Sequence, residues 1–222
     1  YTLQGEKIIA DQLLDVATEE PKARTILKFD LSLNKKRLVC YKNAVSQTQN
    51  EQITFYSFDA ASNDVISGRF MIPYPDDRLQ LKDVKISNKG NLFVLSKLVQ
   101  KDRKRNDYHY KIFKYQVSSD SLREISLPDH GKFLTDLIIK PDKNENLFCG
   151  GFFSEQNSAA IIGTAFYRIE TNDSISVQQF EKFDERFLAN YLTPKQIEKG
   201  RELSDFYLDQ MILRSDGGMV LL

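Results

Sequence analysis

Several residue types on which functional sites depend are scarce in this chain. Its 222 residues include no tryptophan, two histidines and two cysteines. Cys40 and Cys149 are too few for a disulfide scaffold, and because each lies in an apolar run we expect two free, buried thiols. A zinc site needs three or four converging ligands, and neither His109 nor His130 has a cysteine near it. The sequence therefore predicts no metal site, with His109 a half-exposed strand residue and His130 a turn residue.

The chain also lacks a surplus of charge of either sign. It has 31 Lys and Arg against 31 Asp and Glu, so its formal net charge is zero. Because a basic surplus supplies most non-specific affinity for nucleic acid, we expect no nucleic-acid partner. No apolar stretch approaches the roughly 18 residues that a membrane-spanning helix requires, so we expect no transmembrane segment.

Motifs that bind cofactors or carry catalysis are missing as well. The sequence has no G-x-S-x-G, no P-loop and no dinucleotide-binding glycine pattern, so no cofactor is predicted. Residues 142–146 resemble the first ligands of a calcium loop, but Leu147 and Phe153 stand where that loop has its glycine and glutamate. We therefore expect a hairpin turn there. The 31 acidic residues allow many carboxylate pairs, so the sequence leaves any catalytic residues unknown.

The chain does contain a recurring pattern of two apolar runs joined by a polar turn. The pattern occupies residues 26–41, 81–96, 134–151 and 208–222. The first large residues after the four turns are Leu38, Leu92, Leu147 and Met219. These markers are spaced by 54, 55 and 72 positions. Such a period indicates a repeat protein.

A second pattern, an aromatic strand followed by a polar turn and another strand, recurs between these copies. It occupies residues 53–70, 110–127 and 164–180. Its markers Phe58, Tyr115 and Ile169 are 57 and 54 positions apart. Two hairpins in each unit make four antiparallel strands, which is the unit of a propeller blade.

We therefore predict an all-β chain, a β-propeller over residues 1–222 with about four blades that form part of a larger ring. The most specific expectation is a set of strands in consecutive four-stranded antiparallel sheets. They are placed at 36–42, 84–87, 92–97, 136–140, 146–152 and 210–213. The apolar end from Met219 to Leu222 favours a chain that continues beyond Leu222, with the ends of an open arc covered by further residues, another chain or a partner.

The long spacing of 72 indicates an insertion at residues 183–203. We expect short helices there, the second capped by Thr193, begun by Pro194 and ended near Gly200. The insertion either packs its apolar positions on a sheet edge or binds a partner. The opening segment allows a strand that completes another blade or a helix over 11–20, and we favour the strand.

Residues 150–170 and 203–222 resemble a group of uncharacterised Bacteroidota envelope proteins of β-propeller-like repeat type. The shared features are a strand that reads roughly G-F-Y-S, a G-T-F-Y strand, the inserted helices and an R-x-D-G-G turn, where this chain has GFFS and GTAFY for the two strands. The resemblance implies a longer parent chain and an exported location, periplasmic or associated with the outer membrane. It brings no catalytic residue and no established activity.

These observations favour a non-catalytic binding or scaffold module that engages a protein or glycan at the cell envelope. The alternatives are a propeller-type glycoside hydrolase or lyase, or the accessory domain of a larger enzyme. A central cluster of acidic, arginine or histidine side chains on the inner strands would favour the enzyme. An apolar or filled central channel would favour the scaffold.

Overall fold

The computed structural model describes residues 2–4, 7–9, 27–44, 50–102, 105–155, 160–214, 216 and 218–222. The fold of these residues is all-β. The strands of the first half are β1 (Thr2–Gln4), β2 (Lys7–Ile9), β3 (Lys28–Leu31), β4 (Arg37–Ala44), β5 (Asn50–Asp59), β6 (Asp64–Pro75), β7 (Leu79–Ile86) and β8 (Leu92–Asp102). Those of the second half are β9 (Arg105–Gln116), β10 (Ser121–Ser126), β11 (Phe133–Pro141), β12 (Leu147–Ser154), β13 (Gly163–Ile169), β14 (Ile175–Lys182), β15 (Met211–Leu213) and β16 (Met219–Leu221).

The strands form antiparallel sheets in chain order. Strands β3–β6, β7–β10 and β11–β14 make three consecutive four-stranded sheets, each strand pairing with its neighbours in sequence. Strands β1 and β2 form a two-stranded sheet, and so do β15 and β16. The strands predicted from the spacing are confirmed, and so is their arrangement in successive small sheets. The last described sheet departs from the prediction because it has two strands instead of four.

The core consists of two layers between the three larger sheets. Strands β7–β10 lie in the middle, and both faces of this sheet are buried. Its face toward β3–β6 carries Val84, Leu92, Val94 and Phe113. Its face toward β11–β14 carries Phe93, Leu95, Ile112 and Ile125. Burial on both faces explains the uninterrupted apolar run at 92–95, since alternate side chains of one strand enter different layers.

The first strand of each larger sheet lies beside the first strand of the next. Strand β3 contacts β7, β7 contacts β11, and β11 contacts β15. The Asp30 carboxylate accepts a hydrogen bond from the Ile86 backbone N–H at 2.9 Å. The Lys140 ammonium donates to the Met211 carbonyl oxygen, also at 2.9 Å. The first strands of these four sheets therefore lie next to one another in chain order.

Each turn after these first strands contains one residue in the left-handed backbone region. Lys35, Gly90 and Glu145 have positive φ in the β3–β4, β7–β8 and β11–β12 turns. In the last of these, Asp142 accepts hydrogen bonds from the backbone N–H groups of Asn144 and Asn146. The calcium-like segment is thus a hairpin turn, as expected.

The insertion after β14 contains two short helices, α1 (Glu185–Leu188) and α2 (Pro194–Glu198). Asp184 caps α1, and Thr193 with Gln196 forms a capping box on α2, so the predicted helices and second cap are confirmed. Gly200 follows with a φ of +65°. The helix alternative for 11–20 lies outside the described residues. Among the described residues, no helix is long and apolar enough to cross a bilayer.

Candidate functional site

The first strands enclose a cavity of about 260 Å³. Strands β3, β7 and β11 and the start of β15 each contribute side chains to its wall. The charged residues of the wall are Asp30, Asp83, Lys85, Lys140 and Asp209. The cavity is therefore neither apolar nor closed by packing, and its acidic residues need to be considered as possible catalytic groups.

A lysine holds two of these carboxylates together. The Lys85 ammonium lies 3.2 Å from Asp30 and 3.0 Å from Asp83. The second oxygen of Asp30 accepts from the Ile86 N–H, and the second oxygen of Asp83 accepts from the Val84 N–H. All four carboxylate oxygens are therefore engaged, and the cluster ties β3 to β7.

The electrostatics of the cluster follow from its burial and its pairing. Burial raises the pKa of Asp30, although the Ile86 N–H and Lys85 act against it. Burial also acts to lower the pKa of Lys85, but the two carboxylates outweigh it and raise that pKa overall. Lys85 therefore stays cationic at neutral pH.

A second pocket, of about 240 Å³, lies at one end of the two sheets β7–β10 and β11–β14. We call it the rim pocket. It is lined by Tyr108, Tyr110 and Phe133, with Asp129, Lys132 and Glu155 among its polar residues. The tyrosines are anchored, since the Tyr108 hydroxyl donates to the Thr135 carbonyl at 3.0 Å and the Tyr110 hydroxyl lies 3.5 Å from Asp136.

Ion pairs organise the polar side of the rim pocket. Glu155 binds Lys132 at 2.6 Å and Lys182 at 2.8 Å. Hydrogen bonds from Lys132 and then Lys182 lower the pKa of Glu155 to about 2. His109 lies 3.8 Å from Asp129, and both side chains are half-exposed. The pocket thus offers fixed donors and acceptors beside aromatic rings.

A third polar cluster joins two hairpin turns. The Glu145 carboxylate, which is buried, accepts from the Ser87 hydroxyl at 2.5 Å, the Lys89 N–H at 3.0 Å and the Asn91 amide at 3.2 Å. Glu145 occupies the turn position that Gly90 has in the preceding sheet, two residues before the marker leucine. The sequence offered one signal for this residue, a glutamate aligned with a glycine, and the structure shows positive φ at both positions.

A buried carboxyl in β5 was also missed at the sequence level. Glu51 is 1% exposed and lies at a bulge in the β5–β6 ladder. The Asp76 carboxyl and the Asn43 side chain lie within hydrogen-bonding reach of its carboxyl group. Burial, and then the neighbouring Asp76 carboxyl, raise the pKa of Glu51 to about 8. It is therefore largely protonated at neutral pH and contributes no fixed charge.

The insertion packs through aromatic rings. Phe152 of β12 contacts Phe183 with ring centroids 6.4 Å apart, and Phe183 stacks on Phe187 at 4.4 Å. Phe187 contacts Tyr191 at 5.3 Å. These contacts place the insertion against the sheet, while Tyr191 remains exposed.

The residues singled out in the sequence do not form one site. Cys40 and Cys149 are free and buried, as predicted, and burial raises the pKa of both thiols. His109 is a half-exposed residue of β9, and His130 lies in a turn with a φ of +50°. No family model and no curated protein matches this chain. Its function has to be argued from geometry and chemistry.

Proposed function

We propose that this chain is a portion of a β-propeller that serves as a non-catalytic binding or scaffold module. Three four-stranded antiparallel sheets in chain order, with their first strands adjacent around one cavity, support this architecture. In such an arrangement the three larger sheets and the β15–β16 hairpin are consecutive blades.

Equivalent positions in successive sheets support a further sheet beside β3–β6 as part of this proposal. The register of the two ladders makes Phe29 and Leu31 of β3 equivalent to two residues of β7, Val84 and Ile86. The pairs are Phe29 with Cys40 and Leu31 with Leu38 in the first sheet, and Val84 with Val94 and Ile86 with Leu92 in the next. Val84 and Ile86 are 0% and 1% exposed because the preceding sheet covers them. Phe29 and Leu31 are 64% and 56% exposed. The outer face of β3–β6 is therefore built like a covered face.

We assign the cover of this face to a further antiparallel sheet of the same polypeptide. Such a sheet repeats the packing already used twice inside the chain, between β3–β6 and β7–β10 and between β7–β10 and β11–β14. Intact mass measurement of the natural protein tests this assignment. A mass above the 25.7 kDa of this chain, by one or more sheets, is expected. A natural polypeptide of 25.7 kDa that is monomeric in solution would refute the assignment.

The observation that carries the non-catalytic assignment is the engagement of all four Asp30 and Asp83 oxygens. A glycoside hydrolase needs one carboxyl group as acid and another as base or nucleophile. Asp30 and Asp83 instead share one lysine, and no histidine lines the described wall of the cavity. A charged cavity beside the first strands is the feature expected of the enzyme, but Asp30 and Asp83 are held by Lys85 and by backbone N–H groups and so tie adjacent strands together.

Turnover measurements separate the binding module from the enzyme. The chain and its Asp30→Asn variant are incubated with chromogenic glycosides and with uronic-acid polymers that report lyase activity. We expect no turnover by either protein and a lower melting temperature for the variant, because Lys85 loses a charged partner. Turnover by the parent chain that disappears in Asp30→Asn would establish the enzyme instead.

The proposed site of action is the cell envelope, with a protein or glycan as partner. This part rests on the resemblance of residues 150–170 and 203–222 to exported proteins. Fractionation of the native cells should place the protein in the periplasmic or outer-membrane fraction. Recovery with cytosolic markers would remove this part of the proposal and leave the architecture untouched.

A further inference from the structure

The rim pocket combines three features that a ligand has to match. Its floor is aromatic, its rim carries both hydrogen-bond donors and acceptors, and its volume is about 240 Å³. Sites for drug-sized ligands run from about 300 to 1,000 Å³, so this pocket suits a single small ring.

The aromatic part of the pocket is held by ring contacts and is partly open. Phe133 is half-buried and meets the Tyr108 ring edge at a centroid distance of 4.8 Å. The Lys97 ammonium lies 4.1 Å from the centroid of Tyr108 and 5.2 Å from that of Tyr110. Because Lys97 occupies the tyrosines, Phe133 is the ring best placed to contact a ligand.

The rim keeps hydrogen-bonding capacity after its internal contacts are counted. Each oxygen of Glu155 accepts from one lysine, and a carboxylate oxygen can accept about twice. The Lys132 ammonium has three protons and uses one of them on Glu155. Asp129 and His109 stand 3.8 Å apart and half-exposed on the same rim.

This combination selects among ligand classes. An anion would meet the carboxylates of Asp129 and Glu155, and a cation would meet the Lys132 and Lys182 ammonium groups beside Glu155. A purely apolar molecule would leave the rim charges desolvated without compensation. A neutral polyhydroxylated ring satisfies both parts, since its hydroxyls donate and accept while its C–H face lies on an aromatic ring. We propose that the rim pocket binds one neutral sugar residue of a glycan, an inference that rests on the proposed binding function and names its ligand.

Saturation-transfer NMR tests this with glucose, galactose, mannose and N-acetylglucosamine as the probes. We expect at least one of them to bind with a dissociation constant on the order of 1 mM, as the size of a single ring allows. Phe133→Ala should weaken that binding about tenfold through lost ring contact. Glu155→Gln should weaken it severalfold while leaving the aromatic floor in place. Phe29→Ala, at an exposed position on β3 outside the pocket lining, is the matched control and should bind as the parent does.

Three results would overturn the inference. One is the absence of saturable binding by all four sugars at millimolar concentration. Another is binding that both the Phe133→Ala and the Glu155→Gln protein retain in full, once circular dichroism has shown that they are folded. The third is saturation by glycine, a zwitterion of similar reach, in place of the sugars.

The same samples distinguish failure of this inference from failure of the proposed function. Release of chromophore from the matching glycoside would contradict the non-catalytic assignment even if the sugar binds in the rim pocket. If no sugar binds and no chromophore is released, the sugar inference fails but the proposed binding function stands. The partner would then engage another surface.

Discussion

Replacing Glu51 by glutamine should stabilise the protein at alkaline pH. Glu51 is a buried carboxyl whose pKa lies at about 8 because of burial and the nearby Asp76. The folded state therefore holds the Glu51 proton more tightly than the unfolded state, where the pKa is 4.5. As pH rises from the pKa of Glu51 in the unfolded state towards its pKa in the folded state, the contribution of this group to the free energy of unfolding falls. Above the folded-state pKa the full cost of ionising the buried carboxyl remains. Glutamine is neutral at every pH and avoids the penalty.

The size of the effect follows from the shift. Each pKa unit corresponds to about 1.4 kcal/mol, so the full shift sets an upper bound of roughly 5 kcal/mol at alkaline pH. Local opening that hydrates the carboxylate reduces this, and we expect Glu51→Gln to gain about 2 to 4 kcal/mol near pH 9. Near pH 4, where the carboxyl is protonated in both states, the two proteins should differ by less than about 1 kcal/mol.

Urea unfolding at a series of pH values, followed by circular dichroism, measures this difference. Glu198→Gln, at an exposed helix end, is the matched control and should follow the parent within about 0.5 kcal/mol at every pH. A Glu51→Gln protein that is destabilised at alkaline pH, and more strongly there than at acid pH, would refute the reasoning, because it would show that Glu51 is an ionised and well-paired carboxylate.

Three further substitutions test the packing between and within the sheets. Glu145→Ala removes the acceptor for three donors and should lower the free energy of unfolding, measured in urea melts, by about 3 kcal/mol. A change below about 1 kcal/mol would show that the β7–β8 and β11–β12 turns do not depend on this contact. Gly163→Ala puts a Cβ 2.1 Å from the Glu181 carbonyl oxygen and should lower the free energy of unfolding by more than about 3 kcal/mol. Gly200→Ala places a Cβ with no atom within 4 Å and should lower it by about 1 kcal/mol, because alanine is strained in the left-handed region. Equal costs for the two alanines would contradict the close approach at Gly163. Replacing residues 185–201 by a short linker should leave the three larger sheets folded, seen as an unchanged far-ultraviolet spectrum. Loss of the cooperative transition would make the insertion part of the core.

The strand pattern could be predicted because it depends on local chemistry. Alternating apolar residues around a polar turn, as at Val84, Ile86, Leu92 and Val94, specify a buried hairpin whatever sheet it later joins. The second helix of the insertion could be predicted for the same reason, since Thr193 and Pro194 define its start. Strand lengths were underestimated where polar residues continue a ladder, as β8 and β9 do out to Asp102 and Arg105.

The sites could not be predicted because each depends on which sheets become neighbours. Lys85 pairs with Asp83 in its own strand, a contact that the sequence suggests, but its second partner Asp30 lies 55 positions away on another sheet. The rim pocket likewise joins residues of β9, the β10–β11 connection and the end of β12. A periodic sequence indicates the four-stranded sheets. Which side chains meet between two sheets depends on the angle at which the sheets pack, and the periodicity does not give that angle.

The central claim, that these sheets belong to a larger ring, is tested most directly by the solvent exposure of Phe29 in the intact natural polypeptide. Hydroxyl-radical footprinting measures it, with the buried Phe55 as the protected reference and the exposed Tyr207 as the reactive one. The account predicts that Phe29 reacts like Tyr207 in the 222-residue chain alone and is protected like Phe55 in the intact polypeptide. Labelling of Phe29 at the level of Tyr207 in the intact polypeptide would contradict it.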